Sequence, residues 1–179
     1  MKLIVGLGNP GKEYELNRHN VGFLAVDYLI DTLNASKVSS KFKGELFKTS
    51  EYLFLKPQTF MNLSGESVVL VKNYYKIEND NIIVIHDDID LKLGALKFKK
   101  GGSNGGHNGL KSIDKHIGPD YYRIRIGVGR PEKKEEVVKY VLSDFTKDEL
   151  ECIKTLFPKI TNAIEDIKNA ASKYSQKKC

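Results

Sequence analysis

The chain has 179 residues, 40% of them hydrophobic, enough to close one core around a central sheet without outside help. Its formal net charge of +6 is spread along the chain, which favours an anionic partner such as nucleic acid and fits a basic enzyme equally well. The two cysteines, Cys152 and Cys179, belong to no CxxC or Cys/His cluster, which argues against a disulfide framework and structural zinc. The apolar start is cut by Gly6, Gly8, Asn9 and Pro10 too early for a signal peptide or membrane span, so a cytoplasmic protein is expected.

Residues 3–7 are a short apolar run ended by turn residues, which reads as a buried strand. A loop follows over 8–20. Asn20 is placed to cap a helix in which Phe23, Leu24, Val26, Leu29, Ile30 and Leu33 recur at helical spacing, so this helix should run to about Leu33. Residues 45–48 and 52–55 are β-like runs separated by Thr49-Ser50-Glu51, an antiparallel hairpin pattern that Pro57 stops. Ser64 precedes a second helical pattern through Val68, Val69, Val71 and Tyr75, and the β-branched run 82–85 predicts a buried central strand.

Lys97-Phe98-Lys99 alternates like a partly exposed strand, 101–109 is too rich in glycine for anything but a loop, and 110–117 reads as a short helix. Residues 121–128 alternate again, and the remainder is mostly helical, with Pro158 separating two amphipathic segments. Strands and helices interleave without repeat or linker. The expectation is one α/β domain over 1–179, a sandwich with a twisted mixed β-sheet flanked by helices.

Gly6-Leu7-Gly8-Asn9-Pro10-Gly11 satisfies the spacing of a dinucleotide-binding loop after a strand, so a nicotinamide-dependent oxidoreductase is the rival reading. The context opposes it. A dinucleotide loop opens directly into its helix, yet Tyr14, Asn17, Arg18 and His19 intervene here, and the next strands look like a hairpin instead of a parallel crossover.

Asp87 follows the buried run and His86, near the carboxyl end of a central strand, where open α/β sheets form their ligand crevices. His19 lies beyond the first strand, in a similar position. If those strands are neighbours, Asp87 can accept a hydrogen bond from one imidazole nitrogen of His19 and leave the other to take a proton from water. A satisfied packing histidine is the alternative. Asn9, Asn62 and Asn108 flank turns, where amides serve either the turn itself or an uncharged peptide or ester and its oxyanion.

His86-Asp87-Asp88-Ile89-Asp90 is a competing divalent-metal pattern, but no second His/Glu pair at ligand spacing accompanies it. Lys97, Lys99 and Lys100 run into the glycine loop, whose freed amides and following helix N-terminus fit a phosphate site or, alternatively, a mobile loop beside a solvated strand. Arg123, Arg125 and Arg130 add positive charge nearby.

Taken together, Val5-Gly6-Leu7-Gly8-Asn9-Pro10-Gly11, Tyr14, Arg18-His19-Asn20, Lys56-Pro57, Phe60-Met61-Asn62-Leu63-Ser64-Gly65, His86-Asp87-Asp88 and Gly105-Gly106-His107-Asn108-Gly109-Leu110-Lys111 closely resemble the bacterial-type peptidyl-tRNA hydrolase family. The resemblance covers nearly the whole chain. It implies a monomeric cytoplasmic enzyme that hydrolyses the ester joining a peptide to the terminal ribose of tRNA, with no metal or other cofactor. It further implies His19 as general base, Asp87 as its orienting acid, Asn9, Asn62 and Asn108 positioning water and peptide backbone, Tyr14 and Met61 lining the site, and Lys99 with Arg125 clamping tRNA phosphate. Asn17, Asp88 and Lys92-Leu93 depart from the family's usual threonine, glutamate and proline-rich turn.

Overall fold

The computed structural model describes all 179 residues. Its 7-stranded sheet has the order β2-β3-β4-β1-β5-β7-β6, with β1 at Lys2–Gly6, β2 at Ser36–Ser39, β3 at Gly44–Lys48, β4 at Tyr52–Pro57, β5 at Ile82–Asp88, β6 at Leu96–Lys100 and β7 at Tyr122–Gly127. The inner strands β4, β1, β5 and β7 run parallel, whereas β2-β3-β4 and β6-β7 pair antiparallel, so the sheet is mixed as the interleaved pattern predicts. No helix is long and apolar enough to cross a membrane.

Side chains alternate between the faces of a strand, and both faces of this sheet are covered. Ile4, Phe54, Ile83 and Ile85 join a core of 22 buried residues beneath α1 (Val21–Thr32) and α6 (Phe157–Ala163). Leu3, Val5, Leu53, Leu55, Ile82 and Val84 join a core of 15 on the opposite face with α2 (Ser64–Tyr75) and α3 (Asn108–Ile117). Burial on both faces explains the unbroken apolar run in β5. Truncating any of these central side chains to alanine should cost about 2–5 kcal/mol.

The first glycine motif is a packing device. A Cβ on Gly8 would lie 2.6 Å from the Phe23 ring, and one on Gly22 only 2.5 Å from the Leu7 nitrogen, so β1 and α1 approach too closely for larger residues. That closeness, together with the 3-10 turns at Lys12–Tyr14 and Arg18–Asn20 that precede α1, removes the dinucleotide reading.

Several boundaries differ from expectation for identifiable reasons. Strand β2 carried no sequence signal because it is a mostly exposed edge strand with a register shift between Lys37 and Ser39. Asn20 does not cap α1; its side chain is turned to the backbone of Asn9. Ser64 lies inside α2 and its hydroxyl donates to the Met61 carbonyl. Strand β5 continues through Asp88, so His86 and Asp87 belong to the strand itself. The C-terminal region is broken into α4 (Val137–Val141), α5 (Lys147–Lys154), α6 and α7 (Ala170–Tyr174), with Pro158 in the first turn of α6.

The expected absence of a disulfide is also corrected. Cys152 and Cys179 are bonded, with Cα atoms 5.9 Å apart. Their 27-residue separation hid the pairing, which arises because the tail folds back on β6: Gln176 and Leu96 exchange backbone hydrogen bonds, and the Cys179 N–H donates to the Leu93 carbonyl.

Candidate active site

The carboxyl ends of β1 and β5 lie side by side, with Gly6 in register with Ile85. The turn after β1 delivers His19 and the end of β5 delivers Asp87, whose Oδ2 lies 2.8 Å from His19 Nδ1. Asp87 accepts here, so Nδ1 carries the proton and His19 Nε2 retains a free lone pair with no partner inside the protein. The acid is sealed, its side chain 2% exposed, while His19 at 12% reaches the cavity it lines.

A third member of this cluster is His107, whose Nε2 lies 2.7 Å from Asp87 Oδ1. His107 is the N-cap of α3, and its Nδ1 accepts from the backbone N–H groups of Gly109 and Leu110 at 3.1 and 3.3 Å. An Nδ1 that accepts cannot hold a proton, so Nε2 is an N–H donor to Asp87. Burial pushes the Asp87 carboxyl up, but the two facing imidazoles of His19 and His107 and their hydrogen bonds outweigh it and hold the group well below the usual carboxylate range. Burial pulls His19 down, and Asp87 more than offsets this, leaving His19 above its ordinary value. Burial, then the neighbouring His107, lowers His86 to about 3, so His86 stays neutral.

His19, Asp87 and His107 bring their ligand-type atoms within 4.8 Å of one another, the spacing of a metal cluster. The donor set does not fit one. Coordination through His107 Nε2 would require a proton on Nδ1, facing two N–H donors at the start of α3. The acids of the 86–90 segment are engaged elsewhere: Asp88 accepts from Arg125 Nε at 3.0 Å and Asp90 pairs with Arg130.

The cavity measures about 590 Å³ and is lined by Asn9, Met61, Asn62 and Asn108 in addition to His19 and Asp87. Asn9 Oδ1 accepts from the Met61 N–H at 2.7 Å, while its own N–H donates to Asn20 Oδ1 and its carbonyl accepts from Asn20 Nδ2, both at 2.9 Å. Three separate segments are thereby fixed to one another. The opposite wall is apolar, formed by Val137, Val138 and Val141 of α4 with Leu142.

Tyr14 does not line the cavity. It packs edge-on against Phe60, ring centroids 6.3 Å apart, and Phe60 occupies the rim with φ at +66° and ψ at 158°, a conformation that L side chains rarely adopt. Lys99 and Arg125 also stand outside the cavity, on one face of the β6-β7 pair: Lys97 is opposite Arg125, and Lys99 opposite Arg123. Arg125 touches the cavity only through Asp88.

The basic glycine loop is corrected in two respects. Arg123 is fully buried and donates to the carbonyls of Gly102, Ser103 and Pro119 and to Asp114, so it anchors the loop and is no free cation. Four of the amides proposed for phosphate are already used, Gly105 and Gly106 by the Ser103 and Asn104 side chains and Gly109 and Leu110 by His107. Lys99 Nζ donates to the Ser103 carbonyl at 3.3 Å, and burial, then Arg125 and Arg123, lower its basicity.

Residues 3–179 match the family model described as peptidyl-tRNA hydrolase. The peptidyl-tRNA hydrolase of Sulfurovum sp. (strain NBC37-1) is 53% identical over 183 residues, covering 99% of this chain and 97% of that protein. The chain belongs to the peptidyl-tRNA hydrolase family. A second peptidyl-tRNA hydrolase, from Wolinella succinogenes, is 57% identical over 169 residues, covering 92% and 86% of the two chains. The crystal structure of peptidyl-tRNA hydrolase from Acinetobacter baumannii superposes with a TM-score of 0.93 at 36% identity, over 99% of this chain and 96% of that one.

The protein is therefore a hydrolase acting on the ester bond of peptidyl-tRNA. Sequence reasoning overlooked how three of its residues serve this peptidyl-tRNA hydrolase site. His107 was read as part of a glycine loop, Asn20 as a cap, and all three, Phe60 included, as parts of the family motifs, none with a role of its own at the site. For His107 a usable signal existed, since it sits where a helix N-cap was due.

Proposed function

We propose that His19 is the general base of ester hydrolysis and that Asp87 orients it. The observation that carries this reading is the 2.8 Å contact between Asp87 Oδ2 and His19 Nδ1, which leaves Nε2 free on the cavity side. A water bonded to Nε2 attacks the ester carbonyl carbon and gives up a proton to the ring. The imidazolium so formed faces the Asp87 carboxylate. Collapse of the tetrahedral intermediate breaks the bond to the ribose oxygen, which takes the proton back from His19, so peptide acid and tRNA hydroxyl are released with no net proton change.

Asn9 Nδ2 has no partner in the protein, and Asn62 and Asn108 stand exposed at the cavity, which suits amides that position water and peptide backbone and donate to the developing oxyanion. Met61 supplies an apolar floor, and Tyr14 contributes through Phe60. Lys99 and Arg125 hold tRNA phosphate on the basic face of β6 and β7. The enzyme works as a monomer in the cytoplasm, where its substrate arises during translation.

The deciding experiment is hydrolysis of N-acylated aminoacyl-tRNA in the presence of a chelator. The enzyme should retain full activity, and His19→Ala should lose at least about 1,000-fold in kcat while still binding tRNA. A fully active His19→Ala would overturn the base assignment. Lys99→Glu should weaken tRNA binding and flatten the salt dependence of log K by about one unit, and an unchanged slope would remove Lys99 from the phosphate contact.

A further inference from the structure

Asp87 is gripped from both sides, and only one grip belongs to the proposed acid–base pair. The second comes from His107, whose two ring nitrogens do different work: Nδ1 caps α3 by accepting from Gly109 and Leu110, and Nε2–H donates to Asp87 Oδ1 at 2.7 Å. Histidine is an odd choice for the first task. Ser, Thr, Asp and Asn cap helices better, but none of them reaches Asp87 with a second group. The imidazole meets both demands because its nitrogens lie on opposite edges of one rigid ring.

We infer that His107 is a positioning residue for ester hydrolysis: the cap on α3 fixes its neutral Nε2–H tautomer, and this N–H holds Asp87 in the orientation that aims Oδ2 at His19. A carboxylate bonded at one oxygen can rotate; one bonded at both cannot. The donated hydrogen bond also spreads the Asp87 charge, which limits how strongly Asp87 stabilises the His19 imidazolium that must return its Nε2 proton to the leaving group. A proton on Nδ1 would face the two N–H donors of Gly109 and Leu110, so the cap selects the Nε2–H form, and the ring is packed between His86 and His19. This inference rests on the acid–base reading above, although its first test does not.

Other charges near the pair do not replace this contact. His86 on β5 is turned to the Asp87 carbonyl, Asp88 is held by Arg125, and Arg18 beside His19 is spent on Ser143, Asp144 and Glu149. On the cavity rim, Asp90 is paired with Arg130, and Lys134 is exposed. Asp87 therefore has His19 and His107 as its side-chain hydrogen-bond partners.

The two tasks of His107 can be separated by substitution. Asn places its carbonyl near the position of Nδ1 and is a good N-cap, but it is too short to reach Asp87. Gln places its amide nitrogen near Nε2 and can donate to Asp87, but it leaves the cap weakened. The first measurement is the titration of the His19 ring by NMR in the free enzyme; the second is the pH profile of kcat/KM.

In His107→Asn, His19 should titrate higher by about half a unit, because Asp87 has lost a competing donor. Its kcat/KM at neutral pH should fall about tenfold, with the melting temperature near wild type. His107→Gln should show the reverse: a wild-type His19 titration and pH profile, and a lower melting temperature. A wild-type titration in His107→Asn, or the same shift in both variants, would overturn the positioning role. If the acid limb of kcat/KM failed to follow the His19 titration in every variant, the base assignment of His19 would fall, and the titration alone would decide the role of His107.

Discussion

The two walls of the cavity are built on opposite principles. One comes from the ends of β1 and β5, the Met61 turn and the start of α3, and Asn9, Asn20, His19, Asp87 and His107 tie it together through hydrogen bonds of 3.3 Å or less, leaving His19 Nε2 and Asn9 Nδ2 unpaired toward the cavity. The other is α4, a 5-residue helix whose Val138 is 69% exposed. It is held from behind: Tyr140 Oη donates to the Val128 carbonyl, and Arg18 stacks on Tyr140 and bonds Ser143 and Glu149. The first wall has its geometry set before substrate arrives. The second offers apolar surface of no fixed pattern, which suits peptides of varied sequence.

The largest break in this comparison should come from Asp87→Asn. It keeps the shape of the polar wall but removes the charge, and kcat should fall about 100-fold or more. The pH profile supplies the sign. If His19 is the base proposed above it acts when neutral; burial lowers its value and Asp87 raises it by more, so activity is expected to rise as pH passes up through that raised value. Without the charge the acid limb should move to lower pH while the plateau drops; an unmoved limb would dissociate Asp87 from His19. The pair's effect on stability has the opposite sense. A raised histidine contributes stability that is fully present below its unfolded value and lost as pH rises through the folded one.

Asn9→Ala should rank next, at about 100-fold in kcat, because it removes a candidate oxyanion donor and the link to Met61 together. A loss confined to KM would show that Asn9 serves binding alone. The smallest effect belongs to the apolar wall: Val138→Ala should raise KM about threefold and leave kcat unchanged. A drop in kcat would mean that α4 shares in setting the geometry, and the contrast between the walls would dissolve.

The legible parts of the molecule are those where one physical pattern dominates. The β5 run reads as a buried central strand because both of its faces carry core residues, and the 45–48 and 52–55 runs read as a hairpin because their turn is short. Strand β2 did not, since Ser36, Lys37 and Val38 face solvent and hold their place through β3 alone. At the site, the contact of His19 with Asp87 was legible from one residue lying past the end of β1 and the other near the carboxyl end of β5. What stayed hidden needed distances: His107 meets Asp87 across 20 residues of sequence, Asn20 meets Asn9 across 11, and Arg123 proves to be a buried loop anchor, although its charge reads the same as that of Arg125.

The tail that hid the cysteine pairing also covers part of one sheet edge. Strand β6 is the last in the sheet, and its outer backbone groups would otherwise stand open to any extended chain of similar length. Gln176 occupies Leu96 on that side in both directions, Cys179 takes the Leu93 carbonyl, and the bond to Cys152 pins the segment to α5. The far edge is guarded differently, by a 4-residue β2 that bears Lys37 and slips out of register. One border of the sheet is thus partly covered by the chain's own tail, while the other is left short, charged and irregular.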